Sequence, residues 1–129
     1  MAVQAVGGRH YCRRMAVERV RAEYAEVERR IRSLTARFDA IVAGSEFTTD
    51  DDEHDPEGST IAFERAQVVS LLADARRELD ELAAATKRID DGTYGKCACC
   101  GEAIAAERLD ALPAATRCID CSVRVDRQR

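Results

Sequence analysis

The fold of the C-terminal third is decided by residues 97–121, which read CACCGEAIAAERLDALPAATRCIDC. Within this stretch Cys97, Cys100, Cys118 and Cys121 follow the spacing C-x2-C-x17-C-x2-C, which is typical of four-cysteine zinc modules. Each C-x2-C turn directs two thiolates at one point, and four soft thiolates complete a tetrahedral shell. We therefore expect one zinc ion per chain. Because four cysteines leave no open position for water or substrate, we expect this zinc to be structural.

Two further cysteines fall outside this spacing. Cys99 lies inside the first pair and Cys12 lies far upstream. We expect Cys99 to point away from the metal and Cys12 to be a lone thiol. Exchange of Cys99 for one of the ligands is one alternative, and a set of free or redox-active thiols is another. Gly95 and Gly101 flank the first pair and permit the tight turns that such a site needs.

The composition favours helices and a thin core. The chain has 129 residues, of which 34% are charged and 5% aromatic, with two prolines and no Trp. A small domain of this kind usually needs a metal or another cross-link to be stable. The net charge of −4 argues against nonspecific nucleic-acid binding by the chain as a whole.

Cellular location follows from the apolar segments. Met1–Tyr11 is small and polar and does not resemble a signal peptide. No stretch approaches the roughly 20 apolar residues of a membrane span. Clustered cysteine pairs outside a secretory context favour metal over disulfides, so we expect a cytoplasmic protein without a membrane segment.

Upstream of the cysteines, two stretches carry apolar residues at steps of three and four, the pattern of a helix packed along its length against another helix. The first seam comprises Val17, Val20, Tyr24, Val27, Ile31, Leu34, Phe38 and Ile41. The second seam comprises Ile61, Val68, Leu72, Ala75, Leu79, Leu82, Thr86 and Ile89, and Arg65 interrupts it. Gly44 and Gly92 are expected to end the two helices.

Two helices of similar length joined by one connection are expected to pair antiparallel as a hairpin, and an intermolecular coiled coil is the alternative. The predicted fold class is therefore mainly α, a long antiparallel coiled-coil hairpin with a small C-terminal four-cysteine zinc-finger domain. We place a flexible N-terminus at residues 1–14, the hairpin at 15–91, and the zinc finger with a C-terminal helix or tail at 92–129. We expect a monomer.

The connection between the helices is strongly acidic. Residues 44–57 read GSEFTTDDDEHDPE and carry seven acidic residues and no Lys or Arg. This segment alone has a charge of −7, whereas the whole chain has −4, so the remainder sums to +3. We call residues 44–57 the acidic tip. A solvated loop is the alternative interpretation, and Asp55-Pro56 also fits an N-cap followed by proline at the first helical position.

The C-terminal motif resembles the DksA/TraR family of bacterial RNA polymerase-binding factors. The residues that carry the resemblance are Tyr94-Gly-Lys-Cys97-x2-Cys100-Gly101, Ile104, Arg108-Leu109-x-Ala111-x-Pro113 and Cys118-Ile119-x-Cys121. The resemblance continues upstream into a helical hairpin with an acidic tip and covers residues 17–125.

The resemblance implies a regulator that is not an enzyme and that binds no DNA sequence. It would bind RNA polymerase at the secondary channel and modulate initiation through the tip, whose candidate residues are Asp51, Asp52, Asp55 and Glu57. The family has two tip aspartates spaced D-x-x-D, followed by a small residue. Asp52 and Asp55 match the spacing, but Glu57 occupies the place of the small residue. Alignment from the cysteines puts Glu57 on the second aspartate instead.

The resemblance also raises binding of the alarmone ppGpp, for which family members use basic residues on the second helix and zinc domain. Leu72 and Leu79 lie in the corresponding helical region here, with Arg76, Arg77 and Arg108 as nearby candidates.

Four other functions remain open from the sequence. A DNA-binding zinc protein lacks a basic recognition helix in residues 98–117. The others are a zinc-finger adaptor for nucleic acid or protein with no secondary-channel role, an enzyme or redox switch using Cys99, and a stimulator of transcript cleavage whose tip carboxylates recruit magnesium.

Overall fold

Four helices follow one another in the computed structural model of the chain: α1 (Ala2–Glu46), α2 (Pro56–Asp91), α3 (Ala106–Ala111) and α4 (Ile119–Arg127). The structure describes residues 2–46 and 56–129, and it describes side chains for residues 13–44 and 58–129. In those ranges there is no β-strand, and the β-structure consists of an isolated antiparallel bridge between Lys96 and Ala103. The predicted mainly α fold, with two long helices before a small cysteine module, is confirmed.

The predicted seam of α1 is confirmed along its length. All eight of its members are buried or half-buried. Val20 and Val27 are the most enclosed, with exposed fractions of 1% and 0%. The steps of three and four therefore identify the face of α1 that packs.

The seam of α2 is confirmed except near its C-terminal end. Thr86 is exposed, and Ala85 is buried in its place. The Thr86 hydroxyl donates a hydrogen bond to the carbonyl of Leu82 at 3.0 Å, so its polar atom is satisfied by its own helix. Ala85 lies three residues after Leu82 and four residues before Ile89, so these three residues share one face of α2. The prediction that Thr86 belongs to the seam is therefore wrong. Arg65, which was expected to interrupt the seam, is exposed.

The two glycines that were expected to end the helices behave differently. Gly92 follows α2 with a φ of 78°, and the next amides, those of Thr93 and Tyr94, donate to the carbonyl of Arg88 at 2.9 and 3.1 Å. This is a left-handed C-terminal cap, as predicted. The prediction for Gly44 is wrong, because α1 continues through Gly44 to Glu46. An interior glycine costs a helix only about 1 kcal/mol, which the packed seam offsets.

The chain divides into two compact units, one formed by Met1–Ala25 with Asp80–Arg129 and one formed by Glu26–Leu79. In the second, an ion pair at 2.8 Å joins Arg30 of α1 to Glu78 of α2. In the first, Arg13 donates to the carbonyl of Ile89 at 3.2 Å. In each unit, α1 and α2 therefore contact each other within one chain, in agreement with the predicted hairpin.

The structure extends the first helix beyond the predicted start of the hairpin at residue 15 and describes only part of the acidic tip. Residues 2–14, which carry no heptad pattern, lie in α1, because extending an existing helix requires no new nucleation. Their flexibility stays a prediction. Most of the acidic tip, including Asp51, Asp52 and Asp55, lies outside the described residues, and Glu57 lies in α2 without a described side chain. None of the described helices is long and apolar enough to cross a membrane.

Candidate metal centre

The first cysteine pair lies in a loop that closes on its own backbone. Gly95 and Gly101 bound the loop with φ angles of 84° and 76°, a region that residues with a side chain rarely adopt. The amide of Cys97 donates to the carbonyl of Glu102 at 2.8 Å, and that of Gly101 donates to the carbonyl of Cys97 at 2.9 Å. The amide of Ile104 donates to the carbonyl of Gly95 at 2.7 Å. We call residues 95–104 the first cysteine loop.

The second cysteine pair lies at the start of α4. Cys118 is the N-cap residue of this helix and Cys121 lies in its first turn. The amide of Ser122 donates to the carbonyl of Cys118 at 3.0 Å. The carbonyl of Thr116 accepts from the amide of Ala98 at 2.8 Å and so ties this segment to the first cysteine loop. We call residues 116–122 the second cysteine turn.

The four predicted ligands converge on one point. The Sγ atoms of Cys97, Cys100, Cys118 and Cys121 all lie within 4.8 Å of one another. The Sγ atoms of Cys100 and Cys118 are 3.8 Å apart, and a tetrahedral zinc with Zn–S bonds of about 2.3 Å separates its sulfurs by about 3.8 Å. The geometry and the all-thiol donor set therefore fit one zinc ion. Cys99 is exposed and does not belong to the group.

The core around this centre is small. Cys97 and Cys121 are buried together with Ile104, and Leu109 and Cys118 pack against them. Cys100 is exposed, so one corner of the centre faces solvent. A cluster of this size buries too little apolar surface to hold a domain without help, which gives the metal a structural role.

Backbone amides prepare one thiol of the first loop for metal. Hydrogen bonds from the amides of Cys100 and Cys118, with a smaller contribution from that of Cys99, lower the pKa of Cys97 to about 5. Hydrogen bonds to the charged form stabilise a thiolate. Cys97 is therefore a thiolate at neutral pH before any metal binds.

The other buried thiol has the opposite tendency. A hydrogen bond with the Cys118 thiol, followed by burial, raises the pKa of Cys121 to about 12. For Cys100, the amide of Glu102 lowers the pKa, but the Cys97 sulfur and burial outweigh it and the net direction is upward. Zinc binds thiolates, so its binding must displace the protons of Cys100 and Cys121.

Helix α3 carries a residue that contacts both sides of the second cysteine turn. The Nε atom of Arg108 donates to the carbonyl of Arg117 at 2.9 Å, and its Nη2 atom donates to the Ser122 hydroxyl at 2.9 Å. The next residue, Leu109, packs on the cysteine cluster, and its Cδ1 lies 3.6 Å from where a Cβ on Gly95 would be. The spacing of the cysteines gave no indication of the contacts of Arg108.

The segment that follows α3 is anchored to the long helices. The Tyr94 hydroxyl donates to the carbonyl of Pro113 at 2.7 Å, and burial raises the pKa of this phenol. Arg88 of α2 donates to the carbonyl of Ala114 at 3.3 Å. Arg19 of α1 forms an ion pair with Asp110. Sequence reasoning missed the roles of Arg19 and Arg88, because their partners are distant along the chain.

The structure gives less information on the predicted tip residues and alarmone contacts than on the cysteines. The candidate tip residues Asp51, Asp52 and Asp55 lie outside the described part of the chain. Of the residues considered for an alarmone, Arg76 and Arg77 are exposed, and Arg77 forms an ion pair with Asp74.

Comparison with known proteins places the cysteine module in a family. Residues 92–127 match the prokaryotic dksA/traR C4-type zinc finger. The chain is 44% identical over 46 residues to the RNA polymerase-binding transcription factor DksA of Haemophilus influenzae, which covers 36% of this chain and 32% of that protein. It is 38% identical over 65 residues to the uncharacterized protein YteA of Bacillus subtilis, which covers 50% of this chain and 27% of that protein.

These matched segments span about a third or less of the length of the two curated relatives. Among solved structures, transcription factor DksA2 from Pseudomonas aeruginosa matches with a TM-score of 0.58 and 24% identity, over 86% of this chain and 85% of that one. This likeness shows that the two chains share a fold.

Proposed function

Because residues 92–127 match the dksA/traR C4-type zinc finger, we propose that the chain is a member of the DksA/TraR family and a transcription factor that binds RNA polymerase and modulates initiation. It enters the secondary channel of the polymerase with its acidic tip. The observation that carries the proposal is the convergence of the four cysteine sulfurs within 4.8 Å, in a chain that shares its fold with DksA2. The Haemophilus influenzae relative is described as RNA polymerase-binding.

The charge distribution supports the use of the tip. Residues 44–57 carry −7 and the rest of the chain sums to +3. This acidic segment runs from the last residues of α1 to the first residues of α2, and an ion pair between Arg30 and Glu78 joins these two helices. Concentrated carboxylates suit an environment of basic side chains and metal ions, such as a polymerase active site.

Within the tip we assign the main role to Asp52 and Asp55, with Asp51 and Glu57 as neighbouring carboxylates. In the alternative alignment, Glu57 takes the place of Asp55 as the second key acid. A double variant that substitutes Glu57 and leaves Asp55 intact tests this alignment. The proposed factor is a cytoplasmic monomer without enzymatic activity. Arg108, one of the candidate contacts of the alarmone ppGpp, already donates hydrogen bonds to Arg117 and Ser122. The experiment below therefore compares initiation with and without ppGpp.

The tip is tested with the double variant Asp52→Asn/Asp55→Asn. We expect its affinity for purified polymerase to stay within about threefold of the unmodified chain, because Asn keeps the shape of Asp and solvated ion pairs contribute little free energy. Its effect on initiation should be lost, since the carboxylates that act in the channel are gone. Binding is measured with labelled protein and purified polymerase, and initiation by single-round transcription with and without ppGpp.

The matched control is Asp80→Asn/Asp90→Asn, which removes the same charge from exposed positions of α2 and should regulate like the unmodified chain. A double tip variant that still regulates normally contradicts the tip mechanism. Comparison of Asp52→Asn/Glu57→Gln with the first variant decides between the two alignments. A gel shift with DNA alone addresses the DNA-binding and adaptor alternatives, and binding there without polymerase would contradict the proposal.

A further inference from the structure

The two ligand pairs of the metal centre are held by different kinds of contact. The first cysteine loop is closed by backbone hydrogen bonds between its own residues, such as that from the amide of Cys97 to the carbonyl of Glu102. The second cysteine turn follows residues 112–115, which form no helix or strand. Cys118 caps α4 without a side-chain hydrogen bond. The position of the second pair therefore depends on contacts from elsewhere in the module.

Arg108 supplies such contacts on both sides of the pair. Its Nε atom bonds the carbonyl of Arg117, the residue directly before Cys118. Its Nη2 atom bonds the hydroxyl of Ser122, the residue directly after Cys121. Both distances are 2.9 Å. One guanidinium therefore bonds the residue before the second cysteine pair and the residue after it.

We propose that Arg108 is the positioning residue of the second ligand pair, which sets Cys118 and Cys121 at metal-binding distance and slows the release of zinc. Partners that orient metal ligands from outside the coordination shell commonly control metal affinity. Because Arg108 acts through Arg117 and Ser122, it is not itself a ligand.

The chemistry of the side chain fits this role. A guanidinium presents several N–H donors in a rigid plane, whereas a lysine ammonium is a flexible point charge. The neighbouring Leu109 packs on the buried cysteine cluster, which fixes the place on α3 from which Arg108 reaches. A zinc ion with four thiolate ligands carries net negative charge, so a permanently charged arginine next to the turn is also electrostatically favourable.

The test uses the full-length, zinc-loaded chain and the variants Arg108→Ala and Arg108→Lys. Zinc release is followed as transfer of the metal to a colorimetric chelator. We expect release about 10- to 100-fold faster in Arg108→Ala. Arg108→Lys should restore less than half of the loss on a logarithmic scale, because an ammonium does not reproduce the two-donor geometry.

The matched control is Arg88→Ala, which also removes an arginine-to-carbonyl hydrogen bond near the module, the one to Ala114. It should release zinc within about twofold of the unmodified rate, because its acceptor is not next to a ligand. Amide hydrogen exchange supplies a second readout. In Arg108→Ala the amides of residues 116–122 should lose protection while those of residues 95–104 keep it.

The proposal is overturned if Arg108→Ala releases zinc at the unmodified rate or if Arg108→Lys restores that rate fully. Equal loss of protection in both cysteine segments would also overturn it, since that is the signature of general destabilisation. If Arg108→Ala does not fold, Ser122→Ala removes one of the two acceptors and leaves the arginine in place. An accelerated release in Ser122→Ala supports the proposal, and an unchanged rate contradicts it.

Discussion

The first cysteine loop and the second cysteine turn contribute two thiols each to one centre, yet they are built differently. In the loop, two glycines with positive φ and three short backbone hydrogen bonds enforce the geometry locally. In the turn, the ligands stand at the start of α4 and are bracketed by the side chain of Arg108. A metal site of this kind is half encoded by local turn chemistry and half by the packing of a neighbouring helix.

The difference extends to the protonation of the thiols. Backbone amides make Cys97 a ready thiolate, with its pKa lowered to about 5, whereas Cys118 and burial raise the pKa of Cys121 to about 12. The first loop therefore offers a charged ligand in advance, and the second turn must lose a proton when metal arrives.

The largest effect that separates the two halves is expected on removal of the metal. Structural zinc contributes about 10 to 16 kcal/mol of apparent binding energy in small modules, which exceeds what the cluster around Ile104 and Leu109 can replace. Treatment with a strong chelator should abolish the fold of residues 92–127. Hydrogen exchange should show protection lost from residues 116–122 before residues 95–104, because three backbone hydrogen bonds close the loop, whereas one, from the Ser122 amide to the Cys118 carbonyl, lies within the turn.

Restoring zinc should recover protection in both segments, which serves as the control for irreversible damage. Simultaneous loss in both halves, or full retention of protection without metal, would show that the two halves do not differ as described.

A smaller effect is expected from acid. Since Cys100 and Cys121 have raised pKa values, both are protonated without metal at neutral pH, and zinc must displace both protons. Apparent zinc affinity should then fall at least 100-fold from pH 7 to pH 6. Below about pH 5 Cys97 also takes up a proton, and the fall should steepen. Competition with a chelator of known affinity at each pH measures this dependence.

A change of less than tenfold between pH 7 and pH 6 would mean that at most one proton is displaced, which would contradict protonation of both Cys100 and Cys121 in the metal-free chain. Because protons compete with zinc for the thiolates, the direction is fixed: stability from the metal is present at neutral pH and lost as pH falls.

Much of this structure could be predicted from local sequence patterns. The spacing of Val20 and Val27 identified the packed face of α1, and the cysteine spacing identified the four cysteines whose sulfurs converge. Gly92, Gly95 and Gly101 were correctly placed at turns because positive φ is a local requirement. Such features are read from a few neighbouring residues, without knowledge of what lies across the fold.

The errors and omissions concern contacts between distant residues. Whether Ala85 or Thr86 lies in the seam depends on how closely the helices approach, which the pattern of one helix does not specify. Gly44 is the residue type favoured just after a helix, but α1 continues through it to Glu46, because packing of the helix offsets the cost of an interior glycine. The contacts of Arg108 and Arg88 depend on where α3 docks, so no spacing rule revealed them.

X-ray absorption spectroscopy of the full-length protein, combined with metal analysis, tests the proposed zinc centre most directly. We expect one zinc per chain surrounded by four sulfurs at about 2.3 Å, with the same spectrum in a Cys99→Ser variant. Fewer than four sulfur neighbours, a nitrogen or oxygen ligand, or a spectrum that changes when Cys99 is replaced would contradict a centre formed by Cys97, Cys100, Cys118 and Cys121.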